Sequence, residues 1–176
     1  GFESVWTFEH VIVPMDYQSK YPYNDTGKMG VAPETPLADP LITLSAIAAA
    51  TKKLRLGTGV NILSQTNPLL LAKQTASLDF ISGGRFMLGV GTGENINEGP
   101  MGFSFPGYTE RIARMEEALD IIHRLLAGEK VDHDGRYYTV DKAKLYSPPM
   151  GRVPVLMAAG GPKSAAFAGA NAEGLI

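Results

Sequence analysis

Short apolar runs alternate with capped helical stretches along this chain, and that alternation restricts its fold more than any single motif. Parallel strands need a crossover between them, usually a helix, so a strand–helix–strand rhythm specifies βαβ units in one parallel sheet. Residues 4–8, 54–60, 85–90 and 153–158 read as strands, and 174–176 as the start of a fifth. Asp39-Pro40 supplies an N-cap and a proline at the first helical position, and Leu41, Leu44, Ile47 and Ala48 form the face of a helix ending near Thr51. Asn67-Pro68 opens a second helix, with Leu70, Gln74, Ser77, Leu78 and Ile81 leading to a Gly83-Gly84 stop. In the third, Tyr108–Leu126, Ile112, Met115, Leu119, Ile122 and Leu126 recur every three or four residues and charge fills the other face. Residues 164–172 read as a small-residue helix.

Two stretches depart from the rhythm. Residues 14–36 are rich in proline and tyrosine and lack periodicity, so they read as a long functional loop. Residues 128–149 break the alternation: 131–133 and 137–140 flank Asp134-Gly135 as in a hairpin, an excursion from what otherwise reads as a single domain over 1–176. An eight-stranded α/β barrel needs about 250 residues, so the expectation is a (β/α)8 TIM-like barrel with about five of its eight strands present and both ends cut. An open doubly wound sheet is the competing architecture. Its glycine fingerprint is not matched, because Gly89, Gly91 and Gly93 alternate without a third glycine opening a helix.

Charge and composition narrow the function. The formal charge is −2 with the signs interspersed, so no basic stripe points to nucleic acid or a membrane surface, and a small molecule is the expected partner. There is no cysteine and there are three histidines, which argues against disulfides and a structural metal. No apolar run is long enough to span a bilayer, and the start does not read as a signal peptide, so the cytoplasm is the default compartment.

Barrel chemistry sits at the carboxyl ends of the strands. Glu9-His10 ends the first, where a histidine can take a proton near neutral pH or merely cap the strand. Gly57, Gly59, Val60 and Asn61 end the second, where glycine admits a ligand or eases a bend. Gly93, Glu94 and Asn97 follow the third, as a proton-holding carboxylate with an amide or as an ordinary turn. Ala159, Gly160 and Gly161 precede a helix whose amides could receive a phosphate, a weak signal alone. Tyr17, Tyr21 and Tyr23 could line a ring pocket or pack within their own loop, while His123 and His133 read as surface residues.

Several strings resemble a known family. Residues 1–6 with Glu9-His10, then residues 56–60, Asn67-Pro68, Ala72-Lys73-Gln74, Ser82-Gly83-Gly84-Arg85 and residues 88–91, are similar to the bacterial luciferase-like superfamily across essentially the whole chain. Gly91-Thr92-Gly93-Glu94 with Asn97-Glu98, Gly135-Arg136-Tyr137-Tyr138 and residues 158–162 resemble its branch containing the F420-dependent glucose-6-phosphate dehydrogenases.

The resemblance implies a deazaflavin (coenzyme F420) oxidoreductase moving hydride. In it His10 is the base for a substrate hydroxyl and Glu94 the acid near the reduced ring. It implies a coenzyme-binding set of Glu9, Gly59, Val60, Asn61, Gly93, Asn97, Ala159, Gly160 and Gly161, with a non-prolyl cis peptide at Gly59-Val60 and the tail on Gly160-Gly161. Glu9 stands where that branch has aspartate, Pro14 where it has tryptophan and Ile62 where it has threonine, which leaves the substrate unassigned between an alcohol and a sugar phosphate. The alternatives are an FMN-dependent monooxygenase of the same superfamily and a non-catalytic binding module. The full-length protein is expected to be a homodimer.

A barrel lacking strands leaves sheet edges and apolar helix faces uncovered. The isolated 176-residue chain is therefore expected to be poorly soluble or molten. A sharp, cooperative thermal transition in calorimetry would contradict this.

Overall fold

The computed structural model describes residues 1–18, 20–21 and 24–176. In chain order the elements are β1 (Ser4–Thr7), α1 (Pro40–Ala50), β2 (Arg55–Thr58), β3 (Asn61–Ile62), α2 (Pro68–Ser82), β4 (Phe86–Gly91), α3 (Asn95–Glu98), α4 (Tyr108–Leu126), β5 (Val131–Asp134), β6 (Thr139–Ala143), β7 (Val155–Met157), α5 (Pro162–Asn171) and β8 (Gly174–Leu175). Single 3-10 turns follow β3 at Leu63–Gln65 and α3 at Gly99–Met101. The parallel sheet runs β1-β2-β4-β7-β8, with β3 prolonging the β2 position along β4. No helix among the described residues is long and apolar enough to cross a membrane.

Local chemistry explains where the helices begin and end. The Asp39 carboxylate accepts the Ile42 N–H at 2.9 Å, and the Asn67 side-chain oxygen accepts the Leu69 N–H at 2.9 Å, each followed by a proline that has no donor to lose. Gly83 closes α2 in the left-handed region at φ 71°, a conformation in which glycine carries no side-chain penalty. Arg85 then reaches back, donating to the Ala48 and Leu54 carbonyls at 2.9 and 2.7 Å and to the Ser82 carbonyl at 2.6 Å. One guanidinium thus satisfies the carboxyl ends of α1 and α2 together. α5 starts at Pro162, two residues before its expected start, because Gly161 is its cap and the Ser164 hydroxyl accepts the Gly161 N–H at 3.1 Å.

The helices cover one face of the sheet. Leu56, Phe86, Leu88, Val90, Val155 and Met157 share a core with Leu44, Leu71, Leu78, Ile121 and Ile122 of the helices. On the opposite face Trp6 lies across Gly57, where an added Cβ would overlap the indole. Glycine at 57 is what lets a tryptophan lie flat there.

The expected single strand over 54–60 is divided. β2 pairs Leu56 with Phe86 and Gly57 with Met87, whereas β3 pairs Asn61 with Val90, so four residue steps on one side face three on the other. This is a β-bulge, which leaves ladder groups without their regular partners. The buried Thr58 hydroxyl fills the gap, accepting the Gly89 N–H at 2.8 Å and donating to the Gly89 carbonyl at 2.8 Å. The step falls on Gly59-Val60, whose peptide bond is cis.

β5 and β6 form an antiparallel hairpin apart from the parallel sheet. Its second strand begins at Thr139 rather than at the expected residue 137, because Glu117 on α4 takes the Tyr137 and Tyr138 N–H groups, at 3.1 and 2.8 Å. His133 joins the same carboxylate at 2.9 Å, so its expected surface placement gives way to a tie between hairpin and helix.

Partial burial works against the charge on Glu117, and the hydrogen bonds from His133, Tyr138 and Tyr137 outweigh it, holding its carboxyl below the usual range. A depressed carboxyl contributes stability that is present above its unfolded pKa and is lost as the pH falls through the folded value. Glu117→Ala is expected to destabilise the full-length protein by about 2 kcal/mol in urea unfolding at neutral pH. Glu117→Gln is expected to flatten the acid limb of the stability profile.

Candidate active site

A cavity of about 990 Å³ opens at the carboxyl ends of the parallel strands. Each strand end contributes to its wall. From the β1 end come Glu9 and His10, from the bulge Gly59 and Val60, from the β4 end Gly93, Glu94 and Asn97, and from the β7 end Gly160 and Gly161. His10 and Glu94, far apart in sequence, therefore border one space.

His10 is held from two sides. Its Nδ1 lies 2.6 Å from Oδ1 of Asn97, and its ring meets the Phe8 ring edge-on at 5.7 Å. An amide oxygen can only accept, so in neutral imidazole Nδ1 carries the proton and Nε2 keeps a lone pair. Among the described residues no protein group donates to that Nε2, which leaves a basic nitrogen at the cavity. Asn97 is 2% exposed and sits on α3, a single turn at a place where the sequence suggests only loop.

Glu9 borders the cavity, but its oxygens are engaged in the wall. Oε1 accepts from Asn61 Nδ2 at 3.1 Å and Oε2 accepts the Ile62 N–H at 2.6 Å. Burial pushes its carboxyl up from the ordinary value, and these two bonds offset part of the rise. Asn61 does not border the cavity, since its amide is turned onto Glu9 behind the wall. Ala159 does not border it either, and its N–H donates to the Ile176 carbonyl at 3.3 Å. Among the loop tyrosines, Tyr21 borders the cavity, whereas Tyr17 is turned into its own loop, its hydroxyl accepting the Met29 N–H at 2.6 Å. Tyr23, with Ser19 and Pro22, lies outside the described residues.

Several bordering residues escape a reading of strand ends alone. Tyr108 and Arg111, one turn apart at the start of α4, both face the cavity. Arg111 stacks at 4.0 Å on Phe105 and donates from Nη1 to the Pro106 carbonyl at 2.9 Å. Among the described residues the Tyr108 hydroxyl and Arg111 Nε are buried beside the cavity without a hydrogen-bond partner. Their spacing of three in the first turn of a helix that follows a glycine-rich strand end is the signal that could have found them. Lys163 and Ser164, in the first turn of α5, also border the cavity.

The family model of the luciferase-like monooxygenases matches residues 1–176. The chain belongs to this family. Its relatives include an F420-dependent glucose-6-phosphate dehydrogenase of Nakamurella multipartita, 38% identical over all of this chain and 48% of the relative. Another, from Nocardia farcinica, is 41% identical over 77% of this chain and 41% of its own length.

The chain spans about half the length of the curated relatives it matches. Among solved structures, an F420-dependent secondary alcohol dehydrogenase in complex with an F420-acetone adduct is 30% identical, with a TM-score of 0.83 over 99% of this chain and 49% of that one. The coenzyme F420-dependent tetrahydromethanopterin reductase of Methanopyrus kandleri follows at 26% identity and a TM-score of 0.77, over 99% of this chain and 47% of that one. The sheet described above is thus part of a luciferase-like TIM-type barrel, incomplete over these residues.

The His10–Asn97 contact has a spectroscopic consequence. Long-range proton–nitrogen correlation on the full-length protein is expected to show neutral His10 in the Nδ1–H form. Asn97→Leu is expected to mix the two forms. A pure Nε2–H pattern in the unsubstituted protein would contradict the assignment.

Proposed function

We propose that this chain forms the coenzyme-bearing half of an F420-dependent oxidoreductase that moves hydride between a small organic substrate, an alcohol or a sugar phosphate, and the deazaflavin. The observation that carries this reading is the shared cavity, in which a histidine ring held by Asn97 and a carboxylate from another strand end border the same space. The named activities of the relatives support it.

The residues present fit such a coenzyme. A space of about 990 Å³ admits a tricyclic ring, and the glycine-rich wall keeps side chains out of its way. An added Cβ at Gly160 or Gly161 would meet nothing within 4 Å, so a phosphate has room to approach the chain there, where the Gly161 N–H and the Ser164 hydroxyl stand at the start of α5. Gly59, Val60, Gly93 and Asn97 would hold the ring, and Gly160-Gly161 the tail. The deazaflavin, when bound, supplies a carbon that accepts or returns hydride.

The protein handles the protons. Nε2 of His10 takes the hydroxyl proton of the substrate, and the Nδ1–H bond to Asn97 keeps the ring turned for that transfer. Glu94 holds a proton on the β4 side of the same space. Tyr108 and Arg111 offer a donor and a cation for the polar end of the substrate or coenzyme. A cytosolic, homodimeric full-length protein completes the proposal.

Titration of the full-length protein with F420 and with FMN tests this. Tight F420 binding is expected, and His10→Ala and Glu94→Gln are each expected to lower kcat by about 10²–10⁴-fold while the coenzyme still binds. The competing reading is an FMN-dependent monooxygenase of the same family. Tight FMN binding with oxygen consumption would replace the proposal with that one.

A further inference from the structure

Behind the β4 side of the cavity lies Glu98, a carboxylate 1% exposed that does not border the cavity itself. Its Oε1 accepts the hydroxyl proton of Ser64, in the turn after β3, and its Oε2 accepts the Glu94 N–H at 3.1 Å. The Glu94 carbonyl in turn accepts the Asn97 N–H at 2.8 Å and the Glu98 N–H at 3.4 Å. Both backbone polar groups of Glu94 are therefore pinned by α3, which fixes the point from which its side chain departs. α3 has four residues, too few to hold its own shape, since helix formation has a costly nucleus. The link to Ser64 supplies what the helix lacks by joining the turn to the neighbouring strand end. Gly93 adds independent support: at φ 89° it is in the region that favours glycine, and an added Cβ would overlap Oε1 of Glu98. The carboxylate occupies the space that any other residue at 93 would need.

We propose that Glu98 is a positioning residue, one that acts on the reaction only through Glu94 by tying the Glu94 turn to Ser64. The inference rests on the reading that Glu94 works in the cavity. Burial pushes the Glu98 carboxyl up from its ordinary value, as a tie placed inside the wall requires. A neutral side chain of the same shape can also accept the Glu94 N–H and bond Ser64, so glutamine at 98 preserves the tie and alanine removes it.

Two measurements on the full-length protein test this. In hydrogen exchange without coenzyme, the Glu94 amide is expected to be protected in the unsubstituted protein and in Glu98→Gln, and to exchange about tenfold faster in Glu98→Ala. In turnover with F420, Glu98→Ala is expected to lower kcat by about a hundredfold, with KM and coenzyme affinity within about threefold, and Glu98→Gln is expected to retain most of the rate. In a Glu94→Gln background the same Glu98→Ala change is expected to cost less than about threefold, because the group it acts through is already gone.

Should Glu98→Ala fail to fold, Ser64→Ala cuts the same tie and is expected to show the same non-additivity with Glu94→Gln. Equal losses in both backgrounds, or undiminished protection of the Glu94 amide in Glu98→Ala, would overturn the assignment. If the full-length protein does not turn over F420, the functional reading fails instead, while the exchange comparison still judges the tie.

Discussion

The Thr58 hydroxyl is the contact on which the cavity wall depends. At the bulge β2 and β3 need one residue more than β4, and an ordinary ladder cannot absorb it. By accepting from and donating to Gly89, Thr58 keeps the strands in one sheet across the step. Every residue after the step then falls where the cavity needs it. Gly59 and Val60 enter the wall, Asn61 and Ile62 turn toward Glu9, and Ser64 reaches Glu98. A regular strand through the same residues would shift each of these side chains to the other face.

A second regularity concerns the buried and half-buried acids. Glu9 accepts the N–H of Ile62, Asp79 that of Met150, Glu98 that of Glu94, Glu117 those of Tyr137 and Tyr138, and Glu173 that of Val155. All but the bond within the Glu94–Glu98 turn join pieces of chain far apart in sequence. Strand-end loops expose backbone donors that no ladder satisfies, and a carboxylate with two acceptor oxygens can hold them where they fall. Burial pushes Glu9, Asp79 and Glu98 up from the ordinary carboxylate value, so the fold sustains a desolvation cost to fix these loops. The acids on the cavity side thus serve two ends, with Glu94 facing the ligand space while Glu9 and Glu98 hold its walls.

Most of the architecture was legible in the residues. α4 carries its periodicity so plainly that its limits, Tyr108 and Leu126, coincide with those expected. The caps at Asp39, Asn67 and Gly83 likewise marked their helices, because capping is chemistry between near neighbours. What was missed was short or remote. A four-residue helix has no periodicity to read, so α3 looked like loop, and with it Glu98 passed as part of a motif without a task. Position in the chain also leaves direction open: Asn61 and Ala159 stand beside cavity residues, yet the Asn61 Nδ2 donates to Glu9 and the Ala159 N–H to the Ile176 carbonyl.

Sequence alone determined the parallel βαβ order, the helix limits and the set of strand ends from which a site could be drawn, because periodicity, capping and turn chemistry act over a few residues. Tertiary structure decided which of those residues share a space. That His10 leans on Asn97, that Glu9 is engaged by Ile62, and that Glu98 stands behind Glu94 all depend on strands meeting in a particular register. Register is a property of the assembled sheet, set by the packing of side chains far apart in the chain, and no local pattern records it.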